Sequence, residues 1–222
     1  ACEIFERVNN SGQVLSVVDL MVAKSWSPSF NLREEIVAFR KELSSQNFGD
    51  IPDIVILQCA SAVLCKEVSK KAILGIPSGA LEDHWQSILE AIRQAIDFLQ
   101  SNLRVVHIKL LPYNSLIVPL TAFYHFGSTR SQTQENRQLL ERWFWKASIS
   151  NRYDSAAESK MAEDIRDILS LIEGGSPSFD YLSPALTADR IINQNLNTWS
   201  AFCKTILCML NSHQPLELKD GS

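Results

Sequence analysis

Apolar residues recur at helical spacing along almost the whole chain. Leu81, Trp85, Ile88, Leu89, Ile92, Ile96 and Leu99 step by threes and fours, with Glu82, Asp83, Arg93 and Gln94 on the opposite face. That pattern predicts an amphipathic helix over about 80–103, its acids placed at the positive end of the helix dipole. Ile36, Phe39 and Leu43 predict a helix over 32–43, capped by Asn31 or Ser29. The stretch 53–68 is apolar nearly all round and predicts a central, buried helix, with Pro52 suited to its first turn. A short piece over 70–74 ends at Gly75-Ile76-Pro77-Ser78-Gly79.

Further along, 115–126 reads as an apolar helix broken or kinked at Pro119. Leu139, Leu140, Trp143, Phe144 and Ala147 predict the inward face of a helix over 134–148. Met161, Ile165, Ile168, Leu169 and Ile172 do the same for 155–173. Residues 104–111 read as a short strand or an extended connector, because Pro112 argues against helix there. Gly174-Gly175-Ser176-Pro177-Ser178 is the strongest break, and Thr187 caps a last long helix. The expected fold is all-α: an irregular multi-helix bundle of about eight to ten helices, with at most one short extended segment. Its expected organisation is a main helical domain over 1–173, a loop over 174–186, a C-terminal helix over 187–211 packed on that domain, and a tail or linker over 212–222.

Composition changes this picture little. The chain has 222 residues, 45% hydrophobic and 21% charged, enough to bury a sizeable core. Its formal net charge of −4 excludes general electrostatic attraction to nucleic acid, so any such contact needs a local basic patch. The five cysteines are odd in number and form no Cys-x-x-Cys, which points to free buried thiols and a cytoplasmic protein. The longest apolar run, 54–64, is too short to cross a bilayer. The four histidines lie far apart at no metal-ligand spacing, so no metal site is expected. No Gly-x-Ser-x-Gly, Walker lysine or Gly-rich phosphate loop occurs, so no catalytic residue is assigned.

Two segments carry more specific chemistry. The first is Phe5-x-x-x-Asn9-x-x-Gly12-x-x-Leu15-Ser16-x-x-Asp19-Leu20. Physically it is a turn feeding a helix, with Ser16 as N-cap and Asp19 completing a capping box. The second is Arg142-Trp143-Phe144-Trp145, then Ser150-Asn151-Arg152-Tyr153, then Asp164-Ile165. Arg137, Arg142, Lys146, Arg152 and Lys160, with Trp145 and Tyr153 as stacking groups, could form a surface for phosphates or splayed bases. The competing reading puts Trp143 and Phe144 in the core and pairs the arginines with Glu141, Asp154 or Glu158.

These two segments, in this order, resemble the GmrSD-type modification-dependent restriction nucleases and their relatives. In that family the first pattern follows an N-terminal ParB/sulfiredoxin-like core. The resemblance implies that this chain is the non-catalytic helical lobe of a larger restriction or phage-defence nuclease. It implies support for a nucleotide-hydrolysing core and contact with DNA through Arg137, Arg142, Lys146, Arg152, Tyr153 and Lys160. It also implies that the loop holding Arg7, Asn9, Asn10 and Gly12 faces that core or its nucleotide; the competing reading is a loop anchored by Phe5 and Leu15, with Asn9 bonding backbone. The family's Asp-Gly-Gln-Gln-Arg motif is absent here, and so are the paired histidines of its C-terminal HNH-like domain. No cofactor is therefore expected in this chain. A nucleoside triphosphate and a divalent metal ion would belong to the parent endonuclease, whose N-terminal core and HNH-like domain are the expected partners, with DNA and without a membrane. Two other readings are a helical protein–protein interaction module and an enzyme whose pocket the sequence hides.

Overall fold

The computed structural model describes residues 15–128, 131–180, 192–193 and 200–212. The described residues hold nine α-helices and four short 3₁₀ turns, joined by loops, and the fold is all-α. The helices are α1 (Val17–Ser25), α2 (Leu32–Leu43), α3 (Asp53–Cys65), α4 (Lys70–Gly75), α5 (Ala80–Ser101), α6 (Ile117–Phe126), α7 (Gln134–Ile149), α8 (Ala157–Ile172) and α9 (Ala201–Ser212). The only extended pairing among these residues is an isolated bridge between Ser27 and Phe30.

Side-chain caps start the helices where the sequence predicts them. Ser16 accepts from the Asp19 amide while the Asp19 carboxylate accepts from the Ser16 amide, a complete capping box. Asn31, Ser69 and Thr133 cap α2, α4 and α7. Asp19 also receives Arg33 at 2.6 Å, which ties α1 to the first turn of α2. Glu82 accepts from the Ser27 and Ser29 hydroxyls and so fixes the α1–α2 turn to the front of α5.

Helix α6 is the centre. Every residue from Ile117 to Phe123 is buried, and α3, α5 and α8 pack around it. Helices α3 and α6 are apolar on all sides because neighbours cover all sides. Helices α5 and α8 each bury one stripe and form outer walls. Helix α1 packs against α2, α3 and α4, and α9 lies against α7. One hydrophobic cluster runs through all of this, from Met21 to Cys208.

The structure departs from the sequence reading at three places. Helix α3 stops at Cys65, short of Val68, because Lys66 turns left-handed (φ 54°) and Ser61 Oγ donates to the Glu67 carbonyl. Residues 104–111 form neither a strand nor a simple extended connector. Arg104 is left-handed (φ 54°), Val105 is buried, and Ile108–Leu110 closes a 3₁₀ turn. Pro119 neither breaks nor kinks a helix. The segment Asn114–Leu116 is a 3₁₀ turn, and Pro119 falls in the first turn of α6, where its missing N–H has no partner to lose. The predicted start of the last helix at Thr187 lies outside the described residues, as do Arg7, Asn9, Asn10 and Gly12.

Candidate functional site

The densest polar chemistry lies where α7 turns into α8. Helix α7 ends at Ile149, and Asn151 adopts a left-handed backbone (φ 54°). Arg152–Asp154 then forms a 3₁₀ turn, and Ala156 is left-handed again (φ 49°). These two reversals bring Arg152 and Tyr153 back onto the first turns of α8. For alanine that backbone carries a steric cost that glycine escapes. Ala156→Gly should therefore raise stability by about 0.5–1 kcal/mol, read from the midpoint of urea unfolding. An unchanged or lowered midpoint would show that the turn tolerates Cβ without strain.

Asp164 is the focus of the turn and is fully buried. Arg152 Nε donates to both carboxylate oxygens, at 2.9 and 3.0 Å, and the guanidinium also reaches Glu163 at 2.8 Å. Tyr153 donates its hydroxyl to Asp164 Oδ2 at 2.7 Å. Burial pushes the Asp164 carboxyl up from its usual range, and Arg152 and Tyr153 oppose that push. The Trp143 indole N–H also favours the charged carboxylate, without reaching ordinary hydrogen-bond geometry. Tyr113 extends the network. It donates to Asp154 in a short contact and meets the Tyr153 ring edge-to-face at 5.7 Å.

The second sequence segment thus folds onto itself. Trp143, Phe144 and Ile165 are core, while Arg152, Tyr153 and Asp164 satisfy one another inside. Of the six residues expected to meet DNA, Arg152 and Tyr153 are buried and engaged in this lock. Arg152 pairs with Asp164 and Glu163, rather than with the Asp154 or Glu158 that the sequence suggested. Lys146 donates to the Ser178 and Phe179 carbonyls and pairs with Asp180, so it anchors the segment after α8. Arg142 is exposed, with its charge felt by Asp180. Lys160 donates to Ser155 Oγ. Arg137 turns toward a cleft beside α5 and α6. Arg152 and Tyr153 are thus inside, while Arg142 is at the surface. The sequence reading names Asp164 in this segment without assigning it to the interior, although its helical register was visible: it sits three residues after Met161 and four before Ile168, both inward-facing.

No group of three or more His, Cys, Asp or Glu residues that could hold a metal occurs among the described residues. Cys65 is exposed, while Cys59, Cys203 and Cys208 are buried. Burial pushes the Cys59 thiol up to about 12, opposed by a hydrogen bond from Thr121. No helix among the described residues is long and apolar enough to cross a membrane.

No family model matches this sequence, and no solved structure matches it. It is similar to an uncharacterized protein of Methanocaldococcus jannaschii, MJ0686. The two are 26% identical over 184 residues, which cover 78% of this chain and 31% of that protein. The chain therefore spans about a third of the length of the relative it matches.

Proposed function

We propose that this chain is a non-catalytic helical lobe of a longer nuclease of the GmrSD type. It would hold the nucleotide-hydrolysing core of the same polypeptide and touch DNA with the basic side chains its own packing leaves available. The carrying observation is the buried Arg152–Asp164–Tyr153 lock. The polar residues behind the second resemblance are consumed in joining α7 to α8, which is the work of a scaffold rather than of a reaction centre. The first resemblance, as far as it is described, is likewise a helix cap, Ser16 with Asp19. The much greater length of the archaeal relative fits a lobe that works within a larger chain. Nucleoside triphosphate and divalent metal would be used by the N-terminal core, and an HNH-like domain would follow.

Arg142 and Lys160 are the residues to test. In the full-length parent, Arg142→Ala combined with Lys160→Ala should weaken duplex binding and lower the slope of log K against log salt by about 2, close to 0.9 per lost phosphate contact. Fluorescence anisotropy across a salt series measures this. An unchanged slope in a folded variant removes the DNA contact.

That outcome would favour the second reading, a helical protein–protein interaction module. One observation speaks for it: Trp26 and Val37 are 63% and 61% exposed at the α1–α2 end.

A further inference from the structure

Among the described residues, one cleft sets a cation that holds no ion pair there against an aromatic wall. It lies between α5, α6 and the front of α7, with a volume of about 320 Å³. Gln94, Asp97 and Ser101 line it from one face of α5, Tyr124 from α6, and Gln132 and Arg137 from the approach to α7 and its first turn. The spacing 94, 97, 101 is one helical stripe, so these polar groups converge by register.

Arg137 is half-buried, and among the described residues no carboxylate lies within ion-pair distance of its guanidinium. Every other half-buried or buried arginine of this set, Arg40, Arg93 and Arg152, has such a partner. A partly desolvated guanidinium with no carboxylate within ion-pair distance keeps its donors open to an anionic ligand. The Tyr124 ring is half-buried and backed by Phe98, with ring centres 6.2 Å apart. Burial pushes its phenol up to about 12, so it stays a neutral donor. Among the described residues Asp97 accepts a side-chain hydrogen bond from Ser101 Oγ alone, at 3.4 Å, which leaves lone pairs to accept from hydroxyls.

Two other clefts lack this combination. The one between the α3–α4 turn and α8 sets Lys66 and Arg166 against Glu67, Glu158 and Glu163. The one beside Gly174 and Gly175 has hydroxyls and Glu135 but, among the described residues, no cation.

The geometry points to a nucleotide-sized site: Arg137 would take a phosphate, Asp97 sugar hydroxyls, and Tyr124 with Gln132 a base. The volume stands at the low end for small-molecule sites, which suits one nucleotide and nothing larger. The same chemistry arrives as a free nucleoside monophosphate or as the 5′-phosphorylated end of a strand. The site is independent of the lobe reading above, since it uses neither Arg142 nor Lys160.

Isothermal titration calorimetry on the full chain tests this. The probes are the four nucleoside 5′-monophosphates, the matching nucleosides, inorganic phosphate and a 5′-phosphorylated oligonucleotide. At least one monophosphate or the phosphorylated strand end should bind, and which of them binds names the source. Inorganic phosphate and the nucleoside alone should bind more weakly. Arg137→Gln should weaken binding about tenfold or more, with an unchanged melting temperature because the residue holds no ion pair among those described. Asp97→Asn should weaken ribonucleotides more than inorganic phosphate. The absence of binding by every probe at millimolar concentration overturns the site. So does equal binding by the folded Arg137→Gln variant, or binding of inorganic phosphate as tight as that of any nucleotide.

Discussion

Replacing Asp164 with alanine is expected to destabilise the protein by about 3 kcal/mol, because it removes the buried counter-charge of Arg152 and leaves the guanidinium only the half-exposed Glu163. The physical reason is asymmetric. A buried pair gains little over an apolar pair of the same shape, since both ions give up their hydration. Removing Asp164 takes away the buried counter-charge and leaves only the half-exposed Glu163 beside the Arg152 guanidinium, and Tyr153 loses its Asp164 acceptor as well. For a chain of this length the loss corresponds to a drop in melting temperature on the order of 10 °C. Combining Asp164→Leu with Arg152→Met should recover much of it, because no charge then remains inside. Thermal unfolding of the single and double variants measures both effects. A single variant that melts like the parent would mean that water reaches Arg152 and that the lock is a surface pair.

The second large effect is expected at the centre of the bundle. Phe123→Ala should cost about 3–5 kcal/mol, the range for truncating a large aromatic in a packed core. Phe123 is fully buried on α6, the helix on which α3, α5 and α8 converge, and it meets the Tyr124 ring edge-to-face at 5.3 Å. Three walls fixed by their own contacts cannot all close on the space left behind, so the cavity persists and the cost stays high. Denaturant titration checks this. Phe123→Leu, which keeps most of the volume, should cost less than half as much. Equal costs for the two variants would show that the neighbours collapse freely and that α6 is not a rigid centre.

These two sites also separate what was legible in the sequence from what was not. The helices were legible because each signal is local. Ser16 with Asp19, Asn31, and the 81–85–88–92–96–99 stripe act within a turn or two of their own backbone. The outcome at Pro119 needed more. A proline in an apolar run reads as a kink, and only the 3₁₀ turn over Asn114–Leu116 moves it into the first turn of α6. The fate of 104–111 was decided by distant partners: the Asn47 carbonyl takes the Ile108 amide, and Lys204 and Cys208 bond the Leu111 and Leu110 carbonyls.

The candidate site shows the same division. That Arg142, Lys146, Arg152, Tyr153, Asp164 and their neighbours form the densest polar-aromatic stretch is a property of the sequence by itself. So are the all-α class, the helix starts and the break at Gly174. Which of those charges face inward is not. Periodicity assigns a face to each residue of α8, but it does not say that an arginine from the preceding turn will arrive to neutralise Asp164. That pairing depends on left-handed backbone at Asn151 and Ala156, two residues with no obligation to adopt it. Hydrogen bonds within a turn are determined by residues already adjacent, so the sequence alone specifies them. The choice between solvent and core for a charged side chain depends on the desolvation it suffers and the partner it meets. Both come from elements brought together only when the chain packs.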